Sequence, residues 1–471
     1  MQPGKKSPNL DSVTSINEDG SRFVIHPADV TGRFTRWRRI SAILLIGLYV
    51  LLPWIPVNGY PAVFLDVMER RFHLFGITLA VQDLWLMFFL VSGVAFTLFY
   101  ITAFVGRVWC GWACPQTVFL EHVFRRIERF IEGDATARRK LDQAPMNGEK
   151  LAKRGLKLGI FLLLSAVIAH IFLSYFVSIP QLWEWLQESP REHWKSFLFV
   201  TASTLAIFLN FTWFREQLCI VICPYGRFQS ALIDDDTFNV AYDYERGNPP
   251  GHVKDEAAGD CIDCHRCIQV CPTGIDIRNG LQLECIGCAA CIDACDHIMD
   301  KVKRPRGLIR YASDRILEGR KSRLMRPRTI LYTGLLLLGV FVAGIAFNTV
   351  DPAVATVTRM PGVPFYITES HVRNQYQIRL INKSTVDLAF SVFVQANGLT
   401  IPIETSGIES GTILNPMEEI NTTFVVQVPR DSYKGAFPLG IFVLAEPNGI
   451  QILREVEFLG PDPKLFNKQR P

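Results

Sequence analysis

The sequence is poor in charge, and its cysteines are confined to one part of the chain. Only 20% of the 471 residues are Asp, Glu, Lys or Arg, and the formal net charge is +4. No cysteine occurs before residue 110 or after residue 295. The low net charge, together with 49% hydrophobic residues, excludes a disordered chain. A nucleic-acid-binding protein is not expected, because the basic residues follow the apolar runs and form no basic domain.

The sequence also lacks the short motifs of several common enzyme classes. It contains no convincing Walker loop, dinucleotide-binding fingerprint or Ser-His-Asp arrangement. Its first 31 residues are polar and show no charged-then-apolar signal peptide. The chemistry of the protein is therefore expected to come from its cysteines.

Five apolar runs are each long enough to cross a hydrocarbon core about 30 Å thick. In lipid every backbone polar group must be satisfied within the segment, so each run is predicted to be a helix. A purely soluble enzyme is excluded. The predicted transmembrane helices span residues 40–57, 84–104, 156–177, 196–214 and 329–347.

Lysine and arginine are concentrated on alternate sides of these helices, which predicts their orientation. The loop 107–155 carries ten of them and the stretch 301–328 carries eleven, whereas the loops 58–83 and 178–195 carry two each. The N-terminus, the basic loop and residues 215–328 are therefore expected in the cytoplasm. After five crossings, the C-terminus is expected in the periplasm of a Gram-negative cell. All nine tryptophans lie near a predicted boundary, as in an interfacial aromatic belt.

Eight cysteines between residues 261 and 295 are the strongest signal in the chain. They form the pattern Cys-x-x-Cys-x-x-Cys-x-x-x-Cys twice, which is the spacing of bacterial two-cluster ferredoxins. In that spacing the fourth cysteine of each run binds the other cluster. A zinc ribbon, the alternative, does not account for two matched quartets. The predicted 4Fe-4S ligands are Cys261, Cys264, Cys267 and Cys295 for one cluster, and Cys285, Cys288, Cys291 and Cys271 for the other.

The other four cysteines form a second repeat. Cys110-Gly-Trp-Ala-Cys114-Pro follows the second apolar run, and Cys219-Ile-Val-Ile-Cys223-Pro follows the fourth. Both runs should end on the cytoplasmic side, so the two pairs are expected to meet there. Thiols four residues apart share one helix face, and the proline should end or kink that helix. We predict one four-thiolate site, whose soft ligands suit Cu(I), zinc or a third iron–sulfur cluster. Buried structural thiols are the alternative.

His170 is the one histidine within a predicted transmembrane helix. A bis-histidine haem between these helices therefore cannot be built. Contact with a quinone or a metal, and simple packing against a neighbouring helix, both remain open for this imidazole.

The predicted fold is a multi-pass α-helical membrane protein with two further domains. One is an inserted α+β two-cluster bacterial ferredoxin module. The other is a C-terminal all-β immunoglobulin-like sandwich, predicted from short β-branched segments separated by Gly-, Pro- and Asn-rich turns. The predicted plan is a polar cytoplasmic segment at 1–39, four transmembrane helices within 40–214, a cytoplasmic region at 215–328 with the ferredoxin module at about 255–300, the fifth helix at 329–347, and a periplasmic domain at 351–471.

These features together resemble a known family over nearly the whole chain after about residue 30. The family is the cytochrome c oxidase accessory proteins of the CcoG/FixG (RdxA) type, which are membrane-bound polyferredoxins of the bacterial inner membrane. The resemblance implies a role in maturation of the cbb(3)-type haem–copper oxidase through reduction of Cu(II) to Cu(I). It implies oxidase assembly factors or copper chaperones as partners, together with an unidentified electron donor. The candidate catalytic residues under this resemblance are Cys110, Cys114, Cys219 and Cys223.

Two other functions remain open. The first is a quinol-linked electron relay whose membrane cysteines hold a further cluster and never meet copper. The second is a non-catalytic assembly scaffold whose β domain docks on oxidase subunits.

Overall fold

The structure is a computed structural model. It describes residues 24–462 except for 69–70, 81–82, 84, 256, 349–350, 385, 397–400, 417 and 448. The first 23 residues of the predicted N-terminal segment, and residues 463–471 of the predicted C-terminal domain, lie outside the described residues. The chain divides into two compact units, Met1–Gly344 and Ile345–Pro471.

The larger unit is mainly helical. In chain order its helices are α1 (Arg33–Leu51), α2 (Trp85–Val105), α3 (Val108–Trp112), α4 (Pro115–Phe119), α5 (Arg125–Glu132), α6 (Ala135–Gln143), α7 (Gly148–Leu173), α8 (Ile179–Gln187), α9 (Trp194–Leu209), α10 (Pro224–Leu232), α11 (Tyr244–Gly247), α12 (Arg266–Gln269), α13 (Ala290–Lys301), α14 (Asp314–Leu317) and α15 (Pro327–Asn348). Wider π-helical turns lie at Leu120–Phe124, Asn210–Phe214 and Leu218–Ile222, and tighter 3₁₀ turns at Leu52–Trp54 and Ile277–Asn279.

Five helical segments within the described residues are long and apolar enough to cross a membrane, which confirms the predicted number. They are Arg33–Trp54, Trp85–Val105, Gly148–Leu173, Trp194–Phe214 and Pro327–Phe347. The third begins at Gly148, well before the apolar run itself, because the side chain of Asn147 accepts a hydrogen bond from the Lys150 amide and caps the helix there.

Short strands complete the larger unit. They are β1 (Pro56–Val57), β2 (Tyr60–Pro61), β3 (Val63–Asp66), β4 (Arg71–Leu74), β5 (Ile77–Ala80), β6 (Asn239–Tyr242) and β7 (Ile309–Ala312). Strands β3, β4 and β5 form a small antiparallel sheet between the first two spans, which the sequence analysis did not predict. Strands β6 and β7 pair antiparallel and bring together the two ends of the segment that carries the eight ferredoxin cysteines.

Hydrogen bonds join the ends of three membrane helices to the ferredoxin module or to the segments that flank it. Asp293 of α13 accepts hydrogen bonds from the backbone amides of Phe34 and Thr35, at 3.1 and 2.7 Å, and so caps the start of α1. The Thr237 hydroxyl donates to the Ala103 carbonyl near the end of α2 at 3.0 Å. Arg326, just before α15, donates to that same carbonyl. The start of the first span, the end of the second and the start of the fifth therefore lie on one side of this unit.

A buried group of charges joins α5 to α7 and to the end of the fourth span. Glu128 is only 1% exposed and forms an ion pair with Arg215. The Lys157 ammonium lies 3.5 Å from Glu128 and 2.9 Å from Glu132. Removal of one member would leave an unpaired charge in the interior, so this group fixes the position of the chain at Arg215.

The smaller unit is a sandwich of two antiparallel sheets, as predicted. Its strands are β8 (Ala353–Arg359), β9 (Tyr366–Ile367), β10 (His371–Asn382), β11 (Leu388–Ala396), β12 (Glu404–Ser406), β13 (Thr412–Leu414), β14 (Glu419–Pro429), β15 (Phe437–Glu446) and β16 (Ile450–Phe458). One sheet has the order β12-β14-β10-β8, with β9 paired to β10, and the other has the order β13-β11-β15-β16. Alternate residues of β10, among them Tyr376 and Ile378, enter a core with Phe390 and Phe424.

Candidate metal centres

Four cysteines line a first cavity in the ferredoxin module. Cys261, Cys264, Cys267 and Cys295 are brought together there, as the spacing predicts for one cluster. The cavity has an empty volume of about 380 Å³, and apolar side chains such as Ile298, Met299 and Leu308 form much of its wall. Tyr242 also lines it. The donor set and the apolar lining fit a thiolate-held cluster.

A second cavity, of about 350 Å³, contains the other predicted quartet. Cys271, Cys285, Cys288 and Cys291 line it, and Cys267 of the first quartet reaches it as well. Its wall includes Val240, Ile277 and Ile286. In each run the fourth cysteine therefore lies with the first three cysteines of the other run.

The same backbone turn builds both quartets. His265 and Ala289 each follow the second cysteine of a run and have positive φ angles of 52° and 60°. Each of them begins the short helix that carries the third cysteine. The left-handed residue turns the chain sharply, so that cysteines on both sides of it face one cavity.

The cavities suit clusters better than single metal ions. Each quartet lines the wall of a cavity, whereas a structural zinc site holds four ligands about one point. Burial raises the pKa of Cys267, Cys285 and Cys295 to about 12. A bound cation or cluster is needed to hold these thiols as thiolates.

The two quartets differ in their access to solvent. Cys264 of the first quartet is exposed, whereas no cysteine of the second is exposed and Cys288 is buried. The first quartet is therefore the one that a soluble protein could approach.

The membrane-proximal cysteine pairs lie on breaks between helices. Cys110 is in α3 and Cys219 is in a π-helical turn, whereas Cys114 and Cys223 immediately precede α4 and α10. The helix breaks just before each proline, as expected, and the second cysteine of each pair lies at the break. Each proline also begins the next helix, because the first helical position needs no N–H donor.

The two pairs have matching backbones. Gly106 and Arg215 each stand four residues before the first cysteine of a pair, and their φ angles are +55° and +51°. Glycine adopts this conformation readily, but arginine is strained in it. The ion pair of Arg215 with Glu128, and a 3.2 Å hydrogen bond to the Thr212 carbonyl, hold it there.

The four thiols of the twin pairs form one electrostatic group. Burial, together with a smaller effect of the thiols of Cys114, Cys110 and Cys223, raises the pKa of Cys219 to about 12. Burial likewise raises the pKa of Cys110 to about 11. The buried amide of Gln229 lies 3.5 Å from the Cys110 sulfur. The structure thus brings the four predicted cysteines into one neighbourhood.

The turn between Cys110 and Cys114 packs directly against the second quartet. A Cβ atom on Gly111 would lie 2.6 Å from the Ile286 carbonyl oxygen and 2.8 Å from the Cys288 Cα. The Trp112 indole donates to the Gly287 carbonyl at 3.3 Å. The turn that carries Cys110 and Cys114 is therefore in direct contact with the backbone of the second quartet.

Three parts of the chain match known protein families. Residues 214–314 match the 4Fe-4S dicluster domain family, residues 85–132 match the 4Fe-4S binding domain family, and residues 343–461 match the IG-like fold at the C-terminus of FixG. The range 85–132 contains Cys110 and Cys114 and no other cysteine.

Similar proteins cover most of the chain. Protein RdxA of Cereibacter sphaeroides is 37% identical over 435 residues, which are 88% of this chain and 91% of the relative. Protein RdxB of the same organism is 36% identical over 77% of this chain and 80% of its own length. The chain belongs to the FixG/RdxA family. This FixG/RdxA protein is accordingly a multi-pass membrane protein that transfers electrons through iron–sulfur clusters.

Two further relatives carry the FixG name. Nitrogen fixation protein FixG of Rhizobium meliloti is 39% identical over 62% of this chain and 57% of its own length. The crystal structure of a FixG-related protein from Vibrio parahaemolyticus is 22% identical and covers 23% of this chain and 97% of its own, with a TM-score of 0.21.

Several polar residues that the FixG/RdxA fold places around the centres do not stand out in the sequence as site residues. In the sequence Arg107 serves only as one of the basic residues that predict membrane orientation. In the structure it donates to the carbonyl oxygens of Leu283 and Gly226, and so joins the second ferredoxin run to the segment that follows Cys223. Gln229 gave no sequence signal. His170 contacts the carbonyl oxygen of Ala166 in its own helix, with its Nδ1 at 2.8 Å.

Proposed function

We propose that this protein reduces Cu(II) to Cu(I) at the four-thiol site, in maturation of a cbb(3)-type oxidase. The observation that supports this proposal is the direct packing of the Gly111 turn on the backbone of Cys288. An electron held at the second quartet would cross only that contact to reach Cys110 or Cys114. The family resemblance supports copper as the substrate.

The protein's own residues would hold, shield and connect the centres. The two ferredoxin quartets would each hold one 4Fe-4S cluster, which supplies one-electron transfer when bound. Apolar side chains such as Ile277 and Ile286 exclude water from the second quartet. The exposed Cys264 marks the side on which a low-potential one-electron donor would meet the protein.

Copper reduction needs one electron and no proton. Cu(II) accepts the electron and becomes Cu(I), and the donor is oxidised by one electron. Soft thiolates favour Cu(I), so the Cys110, Cys114, Cys219 and Cys223 site would stabilise the product and make its formation more favourable.

We further propose that the ferredoxin module faces the cytoplasm and the β-sandwich faces the periplasm. The module contacts the start of the first span through Asp293 and the end of the second through Arg107, and Arg326 at the start of the fifth span donates to the end of the second. Alternating crossings place those three ends on one side, and the lysine- and arginine-rich segments belong to that same side.

Anaerobic copper reduction tests the proposal. Purified protein reduced with dithionite and freed of excess reductant should reduce Cu(II), which a Cu(I)-specific chelator would detect. Cys110→Ser and Cys219→Ser should lose most of this activity while they retain the iron of the ferredoxin module. Unchanged rates in both variants, with full iron content, would exclude the four-thiol site.

A third iron–sulfur cluster on the twin pairs is the second candidate. It is favoured by the match of residues 85–132 to a 4Fe-4S binding family. Iron and sulfide analysis separates the two functions, since two clusters contain about eight irons and three contain about twelve. Twelve irons that fall to eight in Cys219→Ser would establish an electron relay without a copper site.

A further inference from the structure

Arg38 is a buried cation at the junction of the two cysteine regions. It lies on α1 between the exposed residues Arg36 and Arg39, but only 5% of its own surface is exposed. Its Nε donates to the Gly111 carbonyl oxygen at 2.9 Å. Its Nη2 is buried and has no hydrogen-bond partner in the part of the chain that the structure describes.

The charge of Arg38 acts on the second quartet. The Gly111 turn, to whose carbonyl Arg38 donates, packs on the backbone of Cys288, so the guanidinium is held next to this quartet. Glu121 also lies within electrostatic range of Cys288, but it is paired with Arg125. His122 is close to Arg38 as well, and burial and that charge lower its pKa to about 4, so its imidazole is neutral. Within the described residues, Arg38 has no carboxylate in an ion pair.

An unpaired cation in the interior is energetically costly unless negative charge lies beside it. Four thiolates around a cluster supply negative charge, and each added electron increases it by one unit. The first quartet is different, because Arg278 beside it is already paired with Asp263 and Asp276. Arg266 also lines the first cavity, but it is only half-buried. The buried cations that form no ion pair among the described residues, Arg38 and Arg107, both lie beside the second quartet.

We propose that Arg38 is the counter-cation of the second quartet, and that it raises the reduction potential of the cluster held by Cys271, Cys285, Cys288 and Cys291. A cation beside a centre stabilises its reduced, more negative form. The second cluster would then have the higher potential, so electrons would move from the solvent-accessible quartet toward the four-thiol site. Arg38 is thus a positioning residue that acts through the cluster. The proposal rests on the iron–sulfur part of the proposed function and does not require copper.

Redox titration of the holoprotein, followed by electron paramagnetic resonance, tests this assignment without copper. Arg38→Gln should shift the midpoint potential of one cluster to a more negative value and leave the other unchanged. Arg38→Lys should keep the potential close to that of the wild type, since it keeps the charge. Arg36→Gln is the matched control on the same helix, because Arg36 is exposed, and it should change neither potential.

The iron content of the two Arg38 variants separates a requirement for the charge from a requirement for the hydrogen bond to Gly111. If Arg38→Gln loses iron while Arg38→Lys retains both clusters, the need for charge is supported. If Arg38→Gln retains its iron and both potentials are unchanged, the proposal is overturned. Loss of iron in both variants also overturns it, because the hydrogen bond to Gly111 would then explain the requirement. A failure of copper reduction would leave these potentials unaffected.

Discussion

Gly111 and Cys288 meet backbone to backbone, although 177 positions of sequence numbering separate them. A Cβ atom on Gly111 would lie 2.8 Å from the Cys288 Cα and 2.9 Å from its nitrogen. No side chain fits there without a shift of the main chain. Glycine is therefore required at this position by the close approach of two cysteine-bearing loops, not by its φ angle.

Gly111→Ala should separate these loops. Forcing a methyl group into a closed contact typically costs about 1–3 kcal/mol. We expect a lower melting temperature in detergent and a slower reoxidation of the reduced clusters by Cu(II). Circular dichroism and stopped-flow absorbance measure the two effects.

Gly93→Ala is the control for that variant. Gly93 lies in α2, and a Cβ atom there would meet nothing within 4 Å. Alanine should be neutral or slightly stabilising at this position, since glycine weakens a helix interior. Equal behaviour of Gly111→Ala and Gly93→Ala in both measurements would contradict the role of the Gly111 contact.

Asp293→Ala should loosen the ferredoxin module from the first membrane helix. The carboxylate accepts hydrogen bonds from two backbone amides and, at 2.7 Å, from the Thr35 hydroxyl. Loss of a helix cap typically costs about 1 kcal/mol, and a buried charged acceptor at a helix N-terminus adds to this. We expect a lower melting temperature at unchanged iron content.

Thr35→Val tests the donor of the same side-chain hydrogen bond. It removes the hydroxyl donor but keeps the backbone amide, so its effect should be smaller than that of Asp293→Ala. The double variant should be less destabilised than the sum of the two single changes, because both remove the same hydrogen bond. Strict additivity would show that the pair does not interact.

The sequence predicts what depends on local pattern, and it fails where the contact is long-range. The five spans, the strands of the sandwich and the spacing of the two quartets follow from apolar runs, alternation and cysteine periods. The positions of Asp293, Arg38 and Gln229 do not, because each acts on a residue more than 70 positions away. The new helices that begin at Pro115 and Pro224 do not follow from local pattern either, since a Pro after a helical pattern is compatible with both an end and a new beginning.

Gln229→Leu should weaken metal or cluster binding at the twin pairs. The buried amide is within 3.5 Å of the Cys110 sulfur, and its neighbour Tyr225 is hydrogen-bonded to Thr102 at 2.6 Å. Residues that support a metal ligand typically contribute 10- to 100-fold in affinity. Competition with a Cu(I) chelator should show a loss of roughly that size.

Gln143→Leu serves as the control, because Gln143 is exposed at the end of α6. It should leave the affinity unchanged. An unaltered affinity in Gln229→Leu as well would show that the amide does not support Cys110.

Glu128→Gln should displace the turn before Cys219 and remove part of the pH dependence of stability. Burial opposes ionisation of Glu128, but the charges of Arg215 and Lys157 outweigh it and lower its pKa from 4.5 to about 2. A lowered carboxylate pKa stabilises the fold above the unfolded value, and this contribution is lost as the pH falls from about 4.5 to about 2. The variant should lack that loss. At neutral pH it should be less stable by about 3–5 kcal/mol, because buried Arg215 loses the ion pair that holds its strained backbone, whereas Lys157 keeps its ion pair with Glu132. Glu149→Gln, in an exposed pair with Lys153, should change neither property. Thermal unfolding between pH 2 and pH 7 measures both, and identical curves for wild type and Glu128→Gln would show that Glu128 does not hold this turn.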